Sequence, residues 1–133
     1  MIQSSLSIKF ALAITVGLFS NLQAAEHTTD SLDVVKKAIS EKKAVIVDVR
    51  DKDEWNDGHL KDAIHLPLSK IHKGISAEEL TKLVGDDKII YLHCKAGIRS
   101  LDAANRLAKT KCDLRALKPG YTELLKSGFE KAK

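Results

Sequence analysis

The stretch Lys88-Ile89-Ile90-Tyr91-Leu92-His93-Cys94-Lys95-Ala96-Gly97-Ile98-Arg99-Ser100 decides how the chain is read. Ile89 to Leu92 is an apolar run too short for a helix and rich in β-branched and aromatic residues, the pattern of a buried strand. A helical pattern opens near Arg99, with Leu101, Ala104, Leu107 and Ala108 on one face at steps of three and four. Between the two lies a short turn with Gly97 in its middle. A strand that stops, turns tightly and becomes a helix leaves the N–H groups of the turn unpaired and pointing inward. Cys94 is therefore expected at the mouth of an amide cup, with Lys95 and Arg99 adding positive charge. Such surroundings favour the thiolate, which is the nucleophilic form of cysteine. A lone cysteine at the end of a core strand would be an inert packing residue. Its company with Lys95, Gly97, Arg99 and Ser100 marks a candidate catalytic loop.

Outward from this stretch the chain alternates strands and helices. Ala44 to Val47 is a short apolar run leading into Asp48-Val49-Arg50, the pattern of a buried parallel strand. Ile64 to Leu66 reads as another strand closed by Pro67, and Leu114 to Leu117 as the last one before Lys118-Pro119-Gly120. Asp30 is expected to cap a helix running to about Ser40, with Leu32, Val35, Ala38 and Ile39 on its inner face. Ser76-Ala77-Glu78-Glu79 is a capping box, with Ile75 and Leu80 spaced as a hydrophobic staple and Gly85 as the stop. Asp51 to His59 suggests one helical turn and a tight exit, and Tyr121 to Lys131 a final helix. The alternation predicts an α/β fold: a central parallel sheet of about five strands with helices on both faces.

The 133 residues are 30% charged and 44% hydrophobic, which suits one ordinary globular domain. Residues 1–24 read differently. Lys9 is the only charge before Glu26, Phe10 to Phe19 is an apolar block, and Ala24 and Ala25 follow as small residues. This is the pattern of a signal peptide cleaved after Ala24 or Ala25, leaving residues 25–133 as a single exported domain, periplasmic or secreted, with no stable membrane insertion after cleavage. The net charge of +4 is mild and the lysines are scattered, so a small anionic substrate fits and a nucleic-acid surface does not. Of the two cysteines, Cys94 precedes the expected helix and Cys112 follows it, about 18 Å away over about 12 helical residues. A disulfide needs Cα atoms within about 7 Å, so Cys94 is expected as a free thiol. The five histidines lack metal-ligand spacing, and no dinucleotide loop or serine triad is present, so neither metal nor cofactor is expected.

Three elements, in order, resemble the rhodanese (sulfurtransferase) family, in its small exported single-domain form. Asp48-Val49-Arg50 resembles the Asp-Val-Arg that closes an early strand. Glu54-Trp55, Gly58-His59-Leu60 and Ala63-Ile64-His65-Leu66-Pro67 resemble the stretch that follows, with Lys61-Asp62 where the family often has Pro-Gly. Cys94-Lys95-Ala96-Gly97-Ile98-Arg99-Ser100 resembles the Cys-x-x-Gly-x-Arg-Ser active loop. The resemblance implies a thiosulfate-type sulfurtransferase: Cys94 takes a sulfane sulfur from a small anionic donor, holds it as a persulfide and passes it to a thiophilic acceptor, cyanide or a thiol. Amides of Lys95, Ala96, Gly97, Ile98, Arg99 and Ser100 would then stabilise the thiolate and the terminal persulfide sulfur, and Lys95 and Arg99 would attract the donor. Arg99 can instead brace the loop through a salt bridge. Arg50 can reach the mouth or pair with Asp48, Asp51 or a nearby Glu, and Asp48 is expected as a loop-supporting acceptor. Two other readings stand beside this one. His93-Cys94 and Arg99-Ser100 are similar to the cysteine phosphatase loop, which has five residues between Cys and Arg where this chain has four. The domain could also be a non-catalytic persulfide carrier or redox-sensing binding module.

Overall fold

The structure, a computed structural model, describes residues 24–133. The expected leader lies outside the described residues except for Ala24. Four strands form one parallel sheet: β1 (Ala44–Asp48), β2 (Ala63–His65), β3 (Ile89–His93) and β4 (Asp113–Ala116), in the order β2-β1-β3-β4. Among the described residues six α-helices accompany them: α1 (Leu32–Ser40), α2 (Lys52–Asp57), α3 (Leu68–Lys73), α4 (Ala77–Val84), α5 (Ile98–Leu107) and α6 (Tyr121–Lys126), with a 3-10 turn at Ala108–Thr110 after α5.

The period-two alternation of the strands splits the core into two layers. Val45 and Val47 of β1 with Ile90 and Leu92 of β3 face Ile71, Leu80, Val84, Ala103, Ala104 and Leu107 of α3, α4 and α5. Ala44, Ile46, Ile89 and Tyr91 face the other way, onto Val35 of α1 and Leu124 of α6. The chain leaves β1 toward β2 on one side and later continues from β3 to β4 on the other. The carboxyl ends of β1 and β3 are thus the topological switch point, where open parallel sheets place their sites. Asp48 and His93 are in register there, and Cys94 follows immediately.

The sheet has four strands rather than about five. The residues ahead of α1 add only an isolated parallel bridge, His27 to Ala116, because Glu26 to Thr29 is polar and supplies no apolar row to bury. Ser31 rather than Asp30 caps α1, accepting the Val34 N–H, while Asp30 binds the Tyr91 hydroxyl and Arg115. The Ser76/Glu79 capping box is present as read, and Asp51 and Glu54 make a second one at α2. The last helix stops at Lys126, short of Lys131, and Gly128 turns the chain away at φ 94°. No helix among the described residues is long and apolar enough to cross a membrane.

Candidate active site

Cys94 leaves β3 into a tight turn that Gly97 converts into α5. Gly97 has φ 83° and ψ −5°, left-handed backbone that favours glycine, and a Cβ there would lie 2.8 Å from the Lys118 carbonyl oxygen. Its N–H donates to the Cys94 sulfur at 3.1 Å. The first-turn amides of α5, Ile98 to Ser100, have no carbonyl one turn below them and open toward the same side. Of the expected amide cup, the Gly97 N–H is the member placed on the sulfur. Both cysteines are free, and Cys94 is 1% exposed.

A second glycine closes the back of the loop. A Cβ on Gly120 would stand 1.7 Å from the Lys95 carbonyl oxygen, so the chain entering α6 rides directly on the loop backbone. The next residue fastens it, since Tyr121 N–H donates to the Cys94 carbonyl at 2.9 Å. The buried Ser100 hydroxyl lies 2.9 Å from the Gly97 carbonyl and 3.0 Å from that of Leu117, and shares its one proton between them. Ser100 thus meets the loop as a brace, with its side chain on carbonyls rather than open to a ligand.

The charged residues are arranged in pairs. Arg99 makes a two-pronged ion pair with Glu54, at 2.5 and 2.9 Å. The Arg99 guanidinium holds the Glu54 carboxyl down to about 2, and Glu54 raises Arg99 in return. Arg50 is buried and turned onto Asp48, with Nη2 to Oδ2 at 2.7 Å and Nε to Oδ1 at 3.0 Å. It also donates to the Gly58 carbonyl at 2.8 Å and covers the Tyr121 ring at 4.1 Å. Breaking one side of such a buried pair costs about 3–5 kcal/mol, so Asp48 and Arg50 lock β1 to the exit of α2. His93 lies behind them, fully buried: Nε2 sits 3.6 Å from Asp48 Oδ2 with no hydrogen-bond partner among the described residues, while Nδ1 lies 3.4 Å from the Cys94 carbonyl oxygen. Burial pushes the His93 imidazole down, toward the neutral form. Strand alternation puts Asp48 and His93 on the α1/α6 side and Cys94 on the other, so neither carboxylate nor imidazole is brought to the sulfur.

Lys95, Ala96 and Ile98 are exposed around the loop, Ile98 at 77%. Beside them is a cleft of about 230 Å³ lined by Arg50, Glu54, Gly58, Lys95, Tyr121 and Thr122, among others. A larger hollow of about 610 Å³, lined by Lys36, Lys42, Ile46 and Phe129 among others, has no cysteine in its lining. Sequence reading missed Glu54 as the partner of Arg99, Tyr121 as the shelf under Arg50, and Gly120. The first two are long-range pairings, but the Pro119-Gly120-Tyr121 corner is visible in the chain. Trp55 stacks with the rings of His59, at 3.6 Å, and His65, at 4.6 Å.

A model of the family described as Rhodanese-like domain matches residues 31–130. The chain is 34% identical over 92 residues to the uncharacterized protein YqhL of Bacillus subtilis, covering 68% of this chain and 61% of that one. It is 29% identical over 80 residues to the thiosulfate sulfurtransferase GlpE of Coxiella burnetii, covering 60% and 65%. The chain thus spans less than two thirds of the length of either relative. The solved structure of the human single-domain sulfurtransferase TSTD1 superposes with a TM-score of 0.62 at 21% identity, over 76% of this chain and 97% of that one, a likeness of fold. With the family's match running from the cap of α1 through the loop to the residues beyond α6, the chain belongs to the rhodanese-like domain family.

Proposed function

We propose that the chain is a thiosulfate-type sulfurtransferase with Cys94 as its nucleophile. The observation that carries the reading is the Gly97 N–H on the Cys94 sulfur, at the opening of α5. In the first half-reaction the Cys94 thiolate attacks the outer sulfur of thiosulfate. A new S–S bond forms on Cys94, the donor's S–S bond breaks, and sulfite leaves with that bond's electron pair. In the second, cyanide or a thiolate attacks the terminal persulfide sulfur and the Cys94 thiolate is regenerated. No redox partner is needed with cyanide, because in each half the nucleophile supplies one electron pair and the leaving group, sulfite and then the Cys94 thiolate, departs with one. The negative charge stays on sulfur throughout, where amides fixed in place are most effective. Lys95, exposed beside the cup, draws in the anionic donor, and the Arg50-lined cleft offers it room. The pattern of residues 1–24 extends the proposal to an exported enzyme, periplasmic or secreted.

Arg99 argues against phosphate ester chemistry. A phosphatase arginine must present its fork to the phosphate oxygens, whereas this one is engaged on both prongs by Glu54. Steady-state assays with thiosulfate and cyanide test the proposal against a carrier role. Turnover that disappears in Cys94→Ser supports it, and a Cys94→Ser variant as active as the parent removes covalent catalysis. Hydrolysis of an aryl phosphate without sulfur transfer would hand the site to the phosphatase reading.

A further inference from the structure

The segment ahead of α1 is a strap laid along β4 and fastened at its ends. Thr28 N–H donates to the Ala116 carbonyl at 2.8 Å, Ala25 N lies 2.6 Å from Asn105 Oδ1 on α5, and Ala25 packs against the core. Between these holds, His27 crosses behind the catalytic turn. Its Nε2 is 2.7 Å from the Gly97 carbonyl oxygen, across 70 residues of sequence. A carbonyl only accepts, so Nε2 carries the proton, and it does so in the neutral and the charged ring alike. Contact is close: a Cβ on Gly97 would come within 3.0 Å of that nitrogen.

We propose that His27 is a positioning residue of the catalytic loop, holding the Gly97–Ile98 peptide so that its N–H is aimed at the Cys94 sulfur; this rests on the sulfurtransferase reading. A trans peptide points its N–H opposite to its C=O. Pinning the oxygen on His27 therefore turns the Ile98 N–H to the N-terminal side of α5, where the sulfur lies. Glycine at 97 is needed for the left-handed turn, but it leaves the following peptide free to reorient. His27 from outside and Ser100 from within α5 remove that freedom. The amide is then in place before charge develops on the persulfide, which is what makes such a donor effective.

The test compares the parent with His27→Ala and His27→Gln, because a glutamine amide can replace the lost N–H. Two readouts are taken on folded protein: hydrogen exchange of the amides at residues 95–100, and kcat and KM for thiosulfate with cyanide as acceptor. His27→Ala should speed exchange in the loop and lower kcat about three- to tenfold, the size of one hydrogen bond, with KM little changed and melting temperature close to the parent's. His27→Gln should recover most of both. Unchanged loop exchange in His27→Ala overturns the proposal, and so does faster exchange with parental kcat. A His27→Gln variant as slow as His27→Ala overturns it as well, since the N–H would not be the feature that matters. The exchange readout needs no turnover. A parent that transfers no sulfur would therefore retire the sulfurtransferase reading and with it the positioning role, while the exchange data would still report whether His27 pins the turn.

Discussion

Replacing Gly120 by alanine should disable the loop through backbone contact alone. Gly120 has φ −91°, which any residue adopts, so the demand for glycine there is one of space rather than torsion. The added methyl would lie 1.7 Å from the Lys95 carbonyl oxygen and 2.4 Å from its carbon, where at least 3.0 Å is needed. One of the two backbones must therefore move by more than about 1 Å. Neither has slack, because Tyr121 N–H is bonded to the Cys94 carbonyl and Leu124 N–H to the Gly120 carbonyl. Overpacking of this kind costs about 1–3 kcal/mol of stability. A displacement of about 1 Å at a reacting centre costs about 100-fold in rate. The Gly120→Ala variant should remain mostly folded at 25 °C yet lose about two orders of magnitude in kcat/KM for thiosulfate. Thermal unfolding by circular dichroism and steady-state kinetics on the same sample separate the two effects. Parental kcat/KM would refute the reasoning, as would a rate loss no larger than the unfolded fraction.

Other residues give independent expectations. Lys95→Ala should raise KM for thiosulfate about three- to tenfold with kcat nearly unchanged; a fall in kcat at constant KM would remove its role in attracting the donor. Glu54→Gln should release Arg99 and cost about 1 kcal/mol at neutral pH. Because Glu54 is held down to about 2 in the folded chain, that contribution is complete above about pH 4.5 and disappears as pH falls toward 2. Parent and variant should therefore converge in stability across that window, and a constant gap would contradict the pairing. His93 is kept neutral by burial while its unfolded counterpart takes a proton below about pH 6.5. Stability should thus fall from pH 6.5 to pH 5 by at most about 1.4 kcal/mol per unit, and His93→Gln should flatten that slope; identical slopes in urea titrations would count against it.

The layers of the fold were legible because they depend on local patterns. Ile89 to Leu92 and Ala44 to Val47 are apolar runs with few alternatives, and Ser76 with Glu79 announces a helix start in four residues. The four-strand count was not, since His27 pairs with Ala116 through one bridge that no apolar row foreshadows. Helix α3 escaped for a similar reason: Leu68 to Lys73 is six residues with no side-chain cap, stabilised by Ile71 in the core. In the site, the turn around Gly97 could be anticipated because strand, glycine and helix are contiguous. The partners of Arg99 and Gly97, Glu54 and His27, come from 45 and 70 residues away. Such pairings are set by how the sheet brings its loops together, which a single sequence does not encode in any local spacing.

The most direct test of Cys94 as a sulfur carrier is where a sulfur atom goes. Purified protein treated with thiosulfate, freed of excess reagent and weighed intact, should gain the mass of one sulfur. Peptide mapping should find that sulfur on Cys94 and not on Cys112, and cyanide should remove it with release of thiocyanate. An unchanged mass, or a sulfur carried only by Cys112, would contradict the central claim.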